Sequence, residues 1–171
     1  MVIAAGGIVA DTGDIVLDAT SFDIDGNVTG NNVDIDATGL VDIAPGVRIV
    51  AGGSGTTLTI DAGSLLAGAG AEGAETITNS GTGTISISVT GDMTFGDHSL
   101  VISNADLTLV AGGTIDGNDN DTDEDIEADG DVFITADAIG TTTQLEIGRD
   151  SAADNTLTIL STADADGEDI D

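Results

Sequence analysis

The residues best placed to do chemistry are the carboxylates of one short stretch, Asp116-Gly117-Asn118-Asp119-Asn120-Asp121-Thr122-Asp123-Glu124-Asp125-Ile126-Glu127. Counted as a twelve-residue loop, it offers oxygens at places 1, 3, 5, 7, 9 and 12: Asp116, Asn118, Asn120, Thr122, Glu124 and Glu127. An EF-hand-type loop wraps calcium, a hard cation that takes oxygen ligands, with that spacing. The sixth place should be Gly for the sharp turn, and here it is Asp121, with no flanking helices indicated. The competing reading is a solvated insertion between two structural units, pushed out by its own charge. Calcium is the one cofactor the sequence suggests. The calcium roll G-G-x-G-x-D-x-U-x is not the main architecture. Gly52-Gly53-Ser54-Gly55-Thr56 begins it, but Thr57 stands where the ligand Asp belongs, and Gly112-Gly113-Thr114 fails at Ile115.

Catalysis finds little support. Glycoside hydrolysis needs two placed carboxylates with separated pKa values, and among 32 acids no pair is informative. Proton abstraction from an acidic sugar calls for a base such as Arg or Lys; only Arg48 and Arg149 exist, and surface ion pairing accounts for both. His98, the sole imidazole, sits in Gly96-Asp97-His98-Ser99 with no second His and no Cys to complete a metal site or a triad. Carbohydrate subsites also favour aromatic platforms, and the chain has neither Trp nor Tyr. The chain reads as not an enzyme. Thr56, Thr57, Thr59, Thr76, Thr78, Thr82, Thr84 and Thr141 to Thr143 raise an ice- or surface-binding face, but a regular T-x-T on every unit is missing. Thr is equally what an exposed sheet prefers.

Composition sets the wider bounds. The 171 residues carry a formal charge of -30. That charge argues against nucleic acid, whose binding rests on cations neutralising phosphates, and against anionic membrane surfaces. No apolar run is long enough to span a bilayer, and Met1-Val2-Ile3-Ala4-Ala5-Gly6-Gly7 lacks the basic n-region of a signal peptide. Without cysteine there is no disulfide or thiolate site. Disorder is excluded by the 45 residues that are Val, Ile, Leu or Phe, about 26 % against a ceiling of about 20 % for disordered chains. Val and Ile (31) far exceed Leu (11), and branching at Cβ suits a pleated sheet better than a helix. The chain is all-β and folded.

A motif of apolar–x–apolar–polar–small then recurs along it. It stands at Ile15-Val16-Leu17-Asp18-Ala19, Val33-Asp34-Ile35-Asp36-Ala37 and Leu58-Thr59-Ile60-Asp61-Ala62, with looser copies starting at Ile85, Leu107, Val132 and Leu157. Successive copies begin 18, 25, 27, 22, 25 and 25 residues apart. Between them lie shorter alternations: Phe22-x-Ile24, Val41-x-Ile43, Val47-x-Ile49, Met93-x-Phe95, Leu100-x-Ile102 and Leu145-x-Ile147. Each unit therefore holds two or three short strands separated by Gly, Asn and Asp, which tolerate sharp corners. Leu58 and Ile60 point in, Thr59 and Asp61 out. Repeats of this length with this many strands predict a right-handed parallel β-helix, a β-solenoid of about seven or eight coils, roughly 35 Å long at about 4.8 Å per coil. It forms one domain over 1–163, with the acidic segment 116–131 inserted and an acidic tail at 164–171. The rival, a pair of antiparallel sandwiches, explains neither the returning motif nor the scarcity of aromatics. If the strands align, Asp18, Asp36 and Asp61 form a ladder of like charges; if the unequal spacing staggers them, they never meet.

Leu107-Thr108-Leu109-Val110-Ala111-Gly112-Gly113-Thr114-Ile115, followed by Gly130-Asp131-Val132-Phe133-Ile134-Thr135-Ala136, resembles the haemagglutinin-type repeats of large secreted bacterial adhesins, such as filamentous haemagglutinin and autotransporter passengers. Gly13-Asp14-Ile15-Val16-Leu17-Asp18-Ala19 and Leu58-Thr59-Ile60-Asp61-Ala62-Gly63 belong to the same pattern. The resemblance implies a parallel β-helix displayed outside the cell at its surface, as a stalk segment of something longer. It departs in lacking the family's N-terminal secretion domain, lysines and aromatic-bearing receptor loops. The expected role is a non-enzymatic structural or adhesive segment. Its expected partners are itself, stacked end to end, or neighbouring coils of a longer chain, and host or environmental glycans, but not nucleic acid or a membrane. The alternative is a polysaccharide-binding or polysaccharide-cleaving β-helix of the tailspike or lyase kind.

Overall fold

An alternation of period two puts every second side chain on one face of a strand. In the computed structural model of the protein, Leu58, Ile60 and Ala62 are accordingly buried and Asp61 exposed. The structure describes residues 1–69, 75–97, 100–117, 124–149 and 155–162. The described strands fall into seven successive layers of three. The first layer is β1 (Val2–Ile3), β2 (Ile8–Val9) and β3 (Ile15–Ala19); the second is β4 (Phe22–Ile24), β5 (Val28–Gly30) and β6 (Val33–Ala37). The third is β7 (Leu40–Ile43), β8 (Ile49–Ala51) and β9 (Leu58–Ala62); the fourth is β10 (Ser64–Ala67), β11 (Glu75–Asn79) and β12 (Ile85–Val89). The fifth is β13 (Met93–Phe95), β14 (Leu100–Ser103) and β15 (Leu107–Ala111). The sixth is β16 (Thr114–Asp116), β17 (Ile126–Ala128) and β18 (Val132–Ala136), and the seventh is β19 (Ala138–Ile139), β20 (Ile147–Arg149) and β21 (Leu157–Ser161).

The first strands of all layers form sheet A, the second strands sheet B and the third strands sheet C, seven strands in each. All eighteen pairings between described strands are parallel. This is the β-solenoid, and parallel pairing throughout excludes the antiparallel sandwiches. The winding is about six turns, slightly fewer than the seven or eight expected. Seven copies of the sheet C motif enclose only six intervals, and a turn is an interval. At about 4.8 Å per turn the wall is roughly 30 Å long.

Sheet C fixes the register. Ile15, Val33, Leu58, Ile85, Leu107, Val132 and Leu157 stand in one inward column, and Leu17, Ile35, Ile60, Ile87, Leu109, Ile134 and Ile159 in the next. Sheet A adds Phe22, Val41, Leu65, Met93, Ile115 and Ile139, and sheet B adds Ile8, Val28, Ile49, Ile77, Val101, Ile126 and Ile147. Stacked aliphatics of one shape fill a narrow three-walled tube without large aromatics, and each fully buried side chain stabilises by about 1.5–3 kcal/mol. Phe22 and Phe95 are the large exceptions inside, and Phe95 lies in register with the small Ala67.

The unequal copy spacing is absorbed at the corners, so the strands stay aligned. Backbones there approach closely. At the corner from sheet C to sheet A, Gly63 N–H donates to the Gly39 carbonyl and Gly91 N–H to the Gly63 carbonyl. A Cβ on Gly63 would lie 2.6 Å from the Thr38 carbonyl oxygen. Only glycine fits that approach.

Candidate functional site

One polar device recurs at all three corners. The residue immediately before a strand is repeatedly Asp or Asn, and a side-chain oxygen of it accepts the backbone N–H of the equivalent residue one turn later. Before sheet C, Asp14 Oδ1 accepts from Asn32 (3.3 Å), Asn32 Oδ1 from Thr57 (2.8 Å), Asp106 Oδ1 from Asp131 (2.9 Å) and Asp131 Oδ1 from Thr156 (2.7 Å). Before sheet A, Asp92 Oδ1 accepts from Thr114 (2.9 Å). Before sheet B, Asn27 Oδ1 accepts from Arg48 (2.9 Å) and Asp125 Oδ2 from Glu146 (3.0 Å). Strands supply their own N–H partners, and some corner amides find a carbonyl of the previous turn, but these amides do not. An Asx oxygen satisfies it and carries the stack around the bend. The sequence did carry a signal for this ladder: an Asx directly ahead of an apolar alternation, as in Asp14-Ile15, Asn32-Val33, Asp106-Leu107 and Asp131-Val132.

The corner between sheets B and C also holds the most deeply buried amide. Asn79 Nδ2 donates to the carbonyls of Thr56 (2.7 Å) and Thr84 (3.3 Å). Its Oδ1 accepts from Gly81 N–H (2.9 Å) and the Thr56 hydroxyl (3.4 Å). Ser103, in register with Asn79, repeats the device more simply: its hydroxyl donates to the Asp106 carbonyl at 3.1 Å. A buried amide is tolerated only when its polar atoms find partners, and here both Nδ2 and Oδ1 do. Above these groups lies an open groove of about 440 Å³ bordered by Ser54, Ser80, Thr82, Asn104 and Asp129. It crosses the B–C corners of four successive layers and presents hydroxyls, an amide and one carboxylate.

The loop expected to hold calcium is placed in part. Asp116 ends β16 and is buried; its carboxylate accepts the Thr141 hydroxyl (3.2 and 3.0 Å) and the Thr142 N–H (3.2 Å) of the next turn. Glu124 is exposed, with its side chain over Gly148, where a Cβ would lie 2.6 Å from Glu124 Cγ. Glu127 is exposed on β17, in register between Ile102 and Gly148. Asn118, Asn120 and Thr122 lie outside the described residues. Of the acidic segment 116–131, Ile126–Ala128 runs as a strand of sheet B. Among the described residues no three His, Cys, Asp or Glu side chains gather as metal ligands would.

The like-charge ladder is aligned. Asp18, Asp36 and Asp61 are in register on the outer face of sheet C, and Asp23 and Asp42 on that of sheet A. The ladder stops at Ser88 and continues as Val110, Thr135 and Leu160, so the acidic character of that column belongs to the first three layers. Arg48 pairs with Glu75, both partly exposed. His98 lies outside the described residues, as does the side chain of Arg149. The threonines do not share one face: Thr56 is buried at a corner, Thr76 and Thr78 are buried on β11, and Thr59 lies on sheet C.

Among the described residues no helix is long and apolar enough to cross a membrane. No family model, curated protein or solved structure matches the chain.

Proposed function

We propose that this chain is a non-enzymatic structural or adhesive rod, a segment of a bacterial surface protein displayed outside the cell. The observation that carries the reading is the unbroken stack: seven layers in three parallel sheets, hydrogen-bonded along one axis and tied at the corners by Asx side chains. Load along the axis is shared by the hydrogen bonds of three sheets together, so the rod is stiff. The outer carboxylates of Asp18, Asp36 and Asp61 attract cations, calcium included, to the first three layers. Calcium in the 116–127 loop would share Asp116 with the Thr141 and Thr142 donors that already occupy it. Pulling single molecules from end to end tests the mechanical role: layers should peel at forces typical of load-bearing domains, and unfolding at negligible force would remove it.

The polar groove at the B–C corners favours a second reading, in which the rod binds a polyhydroxylated chain along its length. Incubation with a panel of polysaccharides, with and without calcium, separates the two. The structural reading expects no cleavage, and release of oligosaccharides would overturn it.

A further inference from the structure

The exposed apolar side chains concentrate at the two ends of the stack. Three of the outward positions of the first layer are Val2, Val9 and Val16, which are 61, 65 and 71 % exposed, and the fourth is Asp18. One turn later the same positions are Asp23, Thr29 and Asp34. At the other end Leu157 occupies an inward column whose six earlier members are at most 5 % exposed, yet it is 39 % exposed. Ile139, Ile147 and Ile159 of the same last layer are only partly buried. Among the described residues nothing pairs with the outer edges of β1, β2 and β3 or of β19, β20 and β21. Open edges over an apolar core recruit other strands unless charge blunts them, and at two outward positions the first layer carries valine where the second carries aspartate.

We propose that the last layer of one copy stacks on the first layer of a second copy, continuing the solenoid head to tail. This rests on the rod reading above and names the rod's partner. Continuing the observed registers across the junction puts Leu157 on Ile15, Ile159 on Leu17 and Ile147 on Ile8 inside. Outside, it puts Gly140 on Val2, Gly148 on Val9, Thr158 on Val16 and Leu160 on Asp18. None of these pairs brings two like charges together, whereas the molecule's own interior stacks Asp18 on Asp36, Asp36 on Asp61 and Asp23 on Asp42. Strands β21 and β3, which face each other across the junction in this register, are both five residues long. Such a head-to-tail contact uses different surfaces on the two copies, so it does not close and generates an open filament. The net charge of -30 keeps copies apart at low ionic strength. Screening should therefore promote stacking.

Sedimentation velocity and negative-stain microscopy of the purified chain, at low salt and at about 1 M NaCl where the screening length is ~3 Å, provide the test. The expected result is a monomeric rod at low salt and single-file filaments of constant width at high salt. Leu160, exposed and outward, gives the discriminating variants. At the lowest ionic strength at which the unaltered chain associates, L160D places a carboxylate against Asp18 of the next copy and should weaken association by up to about four-fold, while L160R should strengthen it by a similar factor. A species that stays monomeric at every concentration and salt, sideways bundles in place of single files, or the two variants shifting association in the same direction would each overturn the proposal. The pulling experiment keeps the two readings apart: a monomer that resists end-to-end force but never lengthens sinks the stacking alone, and one that unfolds at negligible force sinks the rod.

Discussion

Most carboxylates of an acidic protein are read as free charge, but several here are backbone acceptors. Asp106 takes the N–H of Asp131 and Asp131 takes that of Thr156, so these side chains do for the corner what a ladder bond does within a strand. A hydrogen bond to a charged group contributes about 1.5–3 kcal/mol. Asp131→Ala should therefore lower the unfolding free energy by about 1–3 kcal/mol in urea titrations, whereas Asp131→Asn, which keeps the acceptor, should lose much less. Equal losses in the two variants would assign the effect to charge and not to the bond. The glycine corner makes a second residue-scale prediction. Gly63→Ala drives a Cβ into the Thr38 carbonyl and should cost more than about 1 kcal/mol, well above the helix or strand preference of alanine over glycine. A thermal melt of the variant checks it.

At the scale of single strands, what matters is which column a residue joins. The Asp18–Asp36–Asp61 column stacks carboxylates about 4.8 Å apart, and each neighbouring pair repels by roughly 0.8 kcal/mol in bulk water. Asp36 has a neighbour on both sides, so Asp36→Asn should raise Tm at low ionic strength. The gain should vanish in molar salt, where the repulsion is already screened; a gain independent of salt would show that charge was not the cause. Inside, position along the axis decides cost. Ile87→Ala empties a site enclosed by the layers before and after it and should cost about 2–5 kcal/mol, while the same change at Ile159, in the half-buried last layer, should cost markedly less.

As a whole the molecule is quasi-one-dimensional, each layer touching only its neighbours. Opening should therefore begin at the ends. Amide exchange is expected to be fastest in β1, β2, β19, β20 and β21 and slowest in β9 and β12, in the middle of sheet C. Uniform protection along the axis would contradict this. Salt acts at this scale as well, because a charge of -30 on a single rod destabilises it through self-repulsion. Sodium chloride should raise Tm generally, and the shift should be smaller in the Asp36→Asn variant.

The sequence by itself determined the wall that repeats most strictly. The seven sheet C strands stand where the apolar–x–apolar motif lies, because two large inward residues per strand make a period-two signal. Sheet B was far less legible. Its strands carry one large inward side chain, such as Val28, Ile49 or Ile77, followed two residues on by Gly30, Ala51 or Asn79. An alternation with a single large apolar member has nothing to repeat, so β5 and β11 went unread. In β10 the adjacent Leu65 and Leu66 hid the alternation, one pointing in and the other out. Whether Asp18, Asp36 and Asp61 meet was decided only by the tertiary structure, since intervals of 18 and 25 residues leave stacking open until the corners are seen to absorb the excess. The same holds for which amide each corner Asx accepts and for the valines exposed on the first layer. Each is a relation between residues one turn or a whole molecule apart, and only the closed winding of the backbone brings those residues side by side.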